Sequence, residues 1–165
     1  MSRNVHVHDG DTPDEVVIEG YAATYEPYEW PAGDSGGWVE QIPRETFAAA
    51  LAENPDMGLT VNFDGPPIAR TADGTLQVEA DEHGLKIRAT IGGEPGSNQA
   101  ERAARLRALR DDDEELPDRE LEISFRAKDQ QWDDDYRTRR LLAISFDKTD
   151  IGLVSIPDQP GEPYA

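Results

Sequence analysis

The 165-residue sequence has no cysteine, which excludes disulfides, thiolate zinc sites and cysteine nucleophiles together. Histidine is nearly as scarce: His6, His8 and His83 are the only imidazoles available for acid–base work. Lysine is confined to Lys86, Lys128 and Lys148, and every other basic side chain is an arginine. No apolar run approaches the ~18 residues that span a bilayer. The opening "MSRNVHVHDGD" has no signal-peptide core, so the expectation is a soluble chain made in a cytoplasm, with no membrane partner. A glycine-rich phosphate loop and a G-x-S-x-G nucleophile elbow are also missing.

Acid is abundant. Asp and Glu number 35 against 16 Lys and Arg, for a formal charge of −19. Phosphate would be repelled over most of such a surface, so nucleic acid is not an expected partner. Two origins of the charge stand side by side. High salt would screen the self-repulsion. A GC-rich coding sequence would favour arginine over lysine, although that bias leaves the acid excess unexplained.

The length fits one domain with room for a core. Residues 1–14 are polar and read as a flexible N-terminal arm, 15–157 as the folded domain, and 158–165 as a Pro-rich C-terminal tail. Strand patterns are expected at 15–28, 38–42, 58–63, 75–80, 84–91, 119–128, 139–147 and 150–156, with turn signals at "DGPP", "TADG" and "DEHG". In "LTVNF", alternation sets Leu59, Val61 and Phe63 on one face. The segment 43–54 reads as a helix, with Pro43 at its start and Phe47 and Leu51 one turn apart. The segment 97–115 reads as a second helix, capped by Ser97 or Asn98, with Ala103, Leu106 and Leu109 as its apolar stripe. Many short strands with two helices point to a small barrel or sandwich flanked by helices.

Candidate chemistry is thin. His6 and His8 alternate in an extended segment beside Asp9 and Asp11, a set that could ligate zinc. Further histidines are lacking and the segment falls in the expected arm, so no metal and no cofactor are expected. The runs "DDDEE" and "DDD" lack the glycine spacing of a calcium loop and read as solvated faces. In "DRELEISFRAKDQQW", alternation puts Leu121, Ile123, Phe125 and Ala127 on one strand face and Glu122, Ser124, Arg126 and Lys128 on the other. Ser124 as a nucleophile would need a base within hydrogen-bond reach. His83, in the turn "DEHGL", is more plainly a turn residue.

The order of segments is more informative than any one of them. "IEGYAATYEPY" is followed by "EQIPRETF", which is similar to E-x-I-x-P-G-A-F. "TVNFDGPPIARTADGTLQVEADEHGLKIRA" matches V-N-H-D-G-x-P-x-A-R-T-x-S-G-T-x-x-L-x-x-D-x-x-G-L. "FRAKDQQWDDDYRTRRLL" matches F-R-V-x-x-Q-x-W-D-x-D-Y-x-x-R-x-I, and "DIGLVSIP" matches D-V-S-V-V-x-x-P. From about Val17 to Pro157 the chain resembles the prohead (capsid maturation) serine protease family of tailed viruses, distantly similar in fold to the herpesvirus assemblins. The resemblance implies an α+β fold, a closed, mostly antiparallel β-barrel flanked by two main helices.

It also implies where a catalytic dyad should stand, and there the chain departs. The family histidine of N-H-D-G falls on Phe63. The serine of M-S-F-A-F-R-V falls on Glu122, which leaves Ser124 at a small-residue position and Asp150 at an acidic one. The expected function is therefore a catalytically degenerate structural or assembly component of a tailed virus. Its partners would be capsid or other virion proteins, with self-association also open, and its place the virion or the host cytoplasm. The alternative is an active serine prohead protease cleaving capsid or scaffold protein, with Ser124 as a displaced nucleophile.

Overall fold

The structure, a computed structural model, describes residues 5–30, 37–146 and 149–155, with Trp30, Thr149 and Asp150 described by backbone alone. The strands form three sheets. In the first, β7 (Leu76–Ala80), β8 (Gly84–Gly92), β2 (Glu15–Thr24), β1 (Val5–Asp9) and β9 (Glu115–Leu116) follow one another, all antiparallel. The second runs β10 (Arg119–Ile123), β13 (Thr149–Ser155), β5 (Met57–Val61) and β6 (Asp64–Arg70), with β13 and β5 parallel. The third runs β11 (Arg126–Trp132), β12 (Thr138–Ser145), β4 (Trp38–Gln41) and β3 (Tyr28–Trp30), with β12 and β4 parallel.

The fold is thus mostly β with two helices, as expected. Closure into a barrel is not found among the described residues: the strands divide into three sheets with separate edges. Period-two alternation builds the core. Val5, Val7, Val16, Ile18, Leu85, Ile87, Ala89 and Ile91 are fully buried on one face of the first sheet. They join Leu59, Leu121, Ile151 and Leu153 of the second. At roughly 25 cal/mol per Å² of apolar surface removed from water, this shared cluster dominates the stability.

Helix α1 (Arg44–Ala52) inserts Phe47, whose ring stacks on Phe146 at 6.0 Å. Its buried Thr46 hydroxyl donates to the Leu141 carbonyl at 2.9 Å and ties the helix to β12. Helix α2 (Asn98–Leu109) opens as expected, with the Ser97 hydroxyl accepting the Ala100 amide at 3.2 Å. It ends at Leu109, short of 115, and Arg107 and Arg110 bind Asp9 and backbone carbonyls of the β1–β2 hairpin.

Three further expectations need correction. Val5–Asp9 is not part of a loose arm, because the buried Val5 and Val7 and pairing on both sides make β1 an inner strand. The segment "DGPPIAR" is strand β6, not a turn; the two prolines are tolerated because β6 is the edge of its sheet. The strand foreseen over 119–128 breaks at Ser124–Phe125, where the chain leaves the second sheet for the third. Residues 158–165 lie outside the described residues.

Candidate functional site

The β5–β6 hairpin closes through Asn62 and Phe63, between the register pair Val61 and Asp64. Both turn residues have positive φ, 53° and 55°, as a two-residue type I′ turn requires. For a ring as large as phenylalanine this backbone conformation is strained. Neighbouring bonds hold it in place: the Asn62 amide donates to the Leu153 carbonyl, and its Oδ1 accepts the Ser155 amide, each at 3.0 Å.

The turn lays the Phe63 ring on β13. A Cβ built on Gly152 would meet Phe63 Cε2 at 2.5 Å and Cζ at 2.7 Å, so the ring occupies the space of a missing side chain. Gly152 is the register partner of Glu122 on β10 and of Thr60 on β5. Directly opposed residues put their Cβ atoms about 5 Å apart on one face, so Phe63 and the half-buried Glu122 are neighbours. The expectation that Phe63 extends the Leu59–Val61 face is corrected. The ring folds to the opposite face, because β5 ends at Val61 and the turn reverses the chain.

Ser124 is exposed and lies in the two-residue break between β10 and β11. Strand alternation therefore does not carry it to the Glu122 face. Asp150 pairs with Gly58 through the β13–β5 register, and its side chain lies outside the described residues.

The histidines belong to the five-stranded sheet. His83 sits in the β7–β8 turn, its amide on Asp81 Oδ1 at 2.8 Å and its ring edge-on to Tyr21. That turn is pinned by the Tyr21 hydroxyl donating to Asp81 Oδ2 at 2.6 Å, which pushes Tyr21 up to about 12. Burial would raise Asp81, but the Tyr21 hydroxyl and the amides of His83 and Gly84 outweigh it and hold the carboxyl below its usual value. His6 and His8 lie on β1 among glutamates.

The motif "QQWDDDYRTRR" resolves into structure rather than chemistry. Asp133 Oδ1 accepts the Arg137 and Thr138 amides, fixing the β11–β12 hairpin, and those amides hold its carboxyl low. Arg139 binds the buried Glu40 through Nε and Nη2, reaches Gln130 Oε1 at 3.0 Å, and lies 5.9 Å over Trp132. The sequence shows the Arg and the Trp; their meeting with Glu40 follows from the parallel β12–β4 register, which pairs Arg139 with Glu40.

Two positions far apart in sequence, Phe63 and Glu122, thus come together where the resemblance sets a proteolytic histidine and serine. The chain belongs to the caudovirus prohead serine protease family, whose model matches residues 3–162. No curated protein and no solved structure matches it.

Proposed function

We propose that this chain is a prohead-protease-fold protein without proteolytic chemistry, acting as a structural or assembly component of a tailed-virus capsid or virion. Family membership supports association with capsid proteins, in the virion or the host cytoplasm. One observation carries the loss of chemistry: the Phe63 ring lies on Gly152 beside Glu122. A phenyl ring accepts no proton, and a carboxylate at the serine position is no activated alcohol. The competing reading makes Ser124 the nucleophile of an active protease. That needs a base about 3 Å from its hydroxyl, and the three imidazoles are engaged on the five-stranded sheet.

Co-expression with the capsid protein of the same virus, followed by mass spectrometry of subunit termini, tests the proposal. Intact termini with co-purification of the two chains are expected. Termini trimmed by the parent chain but not by Ser124→Ala would overturn it in favour of the active protease.

A further inference from the structure

At one end of the five-stranded sheet two connections lie side by side. Thr24, the last residue of β2, is the register partner of Gly84, the first of β8. The chain leaving β2 therefore runs beside the turn that enters β8. Between them is an open cavity of about 390 Å³, lined by Thr24, Tyr25, Glu26 and Pro27 on one side and by Glu82 and His83 on the other. Its size falls within the ~300–1,000 Å³ of ligand clefts, and the reading above makes no use of it.

Hydrogen bonds preform the walls. The Tyr25 hydroxyl donates to the Asp81 and Gly84 carbonyls at 2.6 and 3.1 Å, so that group is spent on the turn and the ring is what lines the cavity. Phe47 backs the ring from the core, 6.0 Å away. On the other side the His83 and Gly84 amides both donate to Asp81 Oδ1, and the His83 ring stands edge-on to Tyr21. Each connection adds one exposed carboxylate, Glu26 and Glu82. None of the described arginines or lysines lines the cavity; Arg44, the cation that acts on Tyr25, lies outside it.

We propose that this cavity binds a guanidinium, presented by an arginine side chain of a partner protein, with the Tyr25 ring against the cation and Glu26 and Glu82 accepting its N–H groups. An aromatic ring and carboxylates in one cleft favour a cation. A guanidinium is planar, always charged and carries five donors in a fixed fork, so it can lie on a ring and meet two carboxylates at once. An ammonium is a compact, strongly hydrated point charge without that geometry. Charge decides the source. Free arginine brings its own carboxylate, which a chain of −19 repels, whereas an arginine within a polypeptide does not. The cavity belongs to the first sheet, and its occupancy is independent of whether the chain is proteolytic.

Titration of the full chain with N-acetyl-arginine N-methylamide, followed by amide NMR shifts, tests the proposal. Saturable shifts centred on residues 24–27 and 82–84 are expected, with weaker binding of the capped lysine and none of capped citrulline, the uncharged near-isostere. Glu26→Gln with Glu82→Gln should weaken binding by about fivefold, as the loss of two exposed ion pairs does. Asp112→Asn with Asp113→Asn removes the same charge from another exposed turn and should change it less than about twofold. Both double variants should remain folded, because all four side chains are exposed. Equal losses in the two would reduce the binding to attraction by net charge and overturn the site. So would absence of saturable shifts, or capped lysine or citrulline binding like arginine. Free arginine should bind more weakly than the capped residue; free arginine binding as tightly would overturn a partner chain as the source.

Discussion

The Phe63 ring fills the space above Gly152, with Cε2, Cζ and Cδ2 all within 2.8 Å of where a Cβ would stand. The two residues are therefore coupled: the ring sits there only because β13 has no side chain at that point. Gly152→Ala needs no unusual backbone, since Gly152 is a regular strand residue without positive φ. Its cost comes from the collision. The ring is the free end of a side chain already 39% exposed, so it swings outward and the sheet stays intact. About 1–2 kcal/mol of destabilisation is expected. In a Phe63→Ala background the same substitution should be neutral or slightly stabilising, because alanine orders a strand at less entropic cost than glycine. A double-mutant cycle by urea denaturation reads the difference; equal costs in both backgrounds would show that the ring does not rest on Gly152.

The Tyr21–Asp81 bond contributes to both ends of the pH profile. Tyr21 is raised to about 12 in the fold, chiefly by its hydrogen bond to Asp81, against about 10 unfolded. A raised folded value means the stabilisation is complete below pH ~10 and is lost as pH climbs through about 12. Asp81 is held low, so its contribution is present above the ordinary Asp value of ~3.9 and fades as pH falls below it. Tyr21→Phe should cost about 1 kcal/mol at neutral pH and flatten the alkaline limb relative to the parent. Melting temperatures between pH 9 and 12 check this, and parallel alkaline limbs in the two proteins would refute it.

How much of this can be read from the sequence varies with the range of the interaction that decides it. The α2 cap is local, and of its two candidates Ser97 takes it; of the expected stripe Ala103 and Leu106 are buried, but Leu109, at the helix end, is exposed. The β6 strand is hidden because Pro66 and Pro67 are turn residues by local preference; only an edge position tolerates them. Two valines in the polar run "NVHVHD" make too little apolar pattern to reveal β1, whose place depends on partners at 16–19 and 115–116. Leu121, Ile123 and Phe125 alternate without interruption, so nothing local marks the change of sheet at Ser124. The resemblance points to Phe63 and Glu122, but Gly152, on which the Phe63 ring rests and which pairs with Glu122, carries no side chain and so no signal.

The charge makes a prediction about salt. With 35 acids against 16 bases, the carboxylates far outnumber the cations that could neutralise them. Exposed ion pairs such as Arg70–Asp56 and Arg107–Asp9 are worth only ~0–1 kcal/mol each and weaken as salt rises. General repulsion among the excess acids weakens as well, and here it is the larger effect. Shortening the Debye length from ~10 Å at 0.1 M to ~3 Å at 1 M should therefore raise the melting temperature steadily in sodium chloride. That would support adaptation to a salty medium. A flat or falling profile would leave the arginine-rich, acid-rich composition to coding bias.

Reverting Phe63 and Glu122, where the family resemblance sets a histidine and a serine, separates a missing side chain from a missing scaffold. Periodicity alone would put Phe63 in the core, where Phe63→His would cost about 1–3 kcal/mol. In the structure the ring is 39% exposed and its φ is 55°. Histidine is several-fold enriched over bulky apolar residues at positive φ, so relief of strain offsets the weaker apolar packing over Gly152. Phe63→His with Glu122→Ser should thus lie within about 1 kcal/mol of the parent. The restored imidazole would stand on Gly152, with the hydroxyl at position 122 on the neighbouring strand, directly opposite that glycine. Proteolysis needs more: preorganised donors for the oxyanion, each worth roughly 10²–10³ in rate, which on the proposed reading selection no longer maintains. The double variant should therefore remain folded, resist a fluorophosphonate probe and leave capsid protein whole. Efficient labelling of the double variant, absent from the Glu122→Ser single variant, would mean that the scaffold of the active site is still intact and only its two reacting side chains are gone.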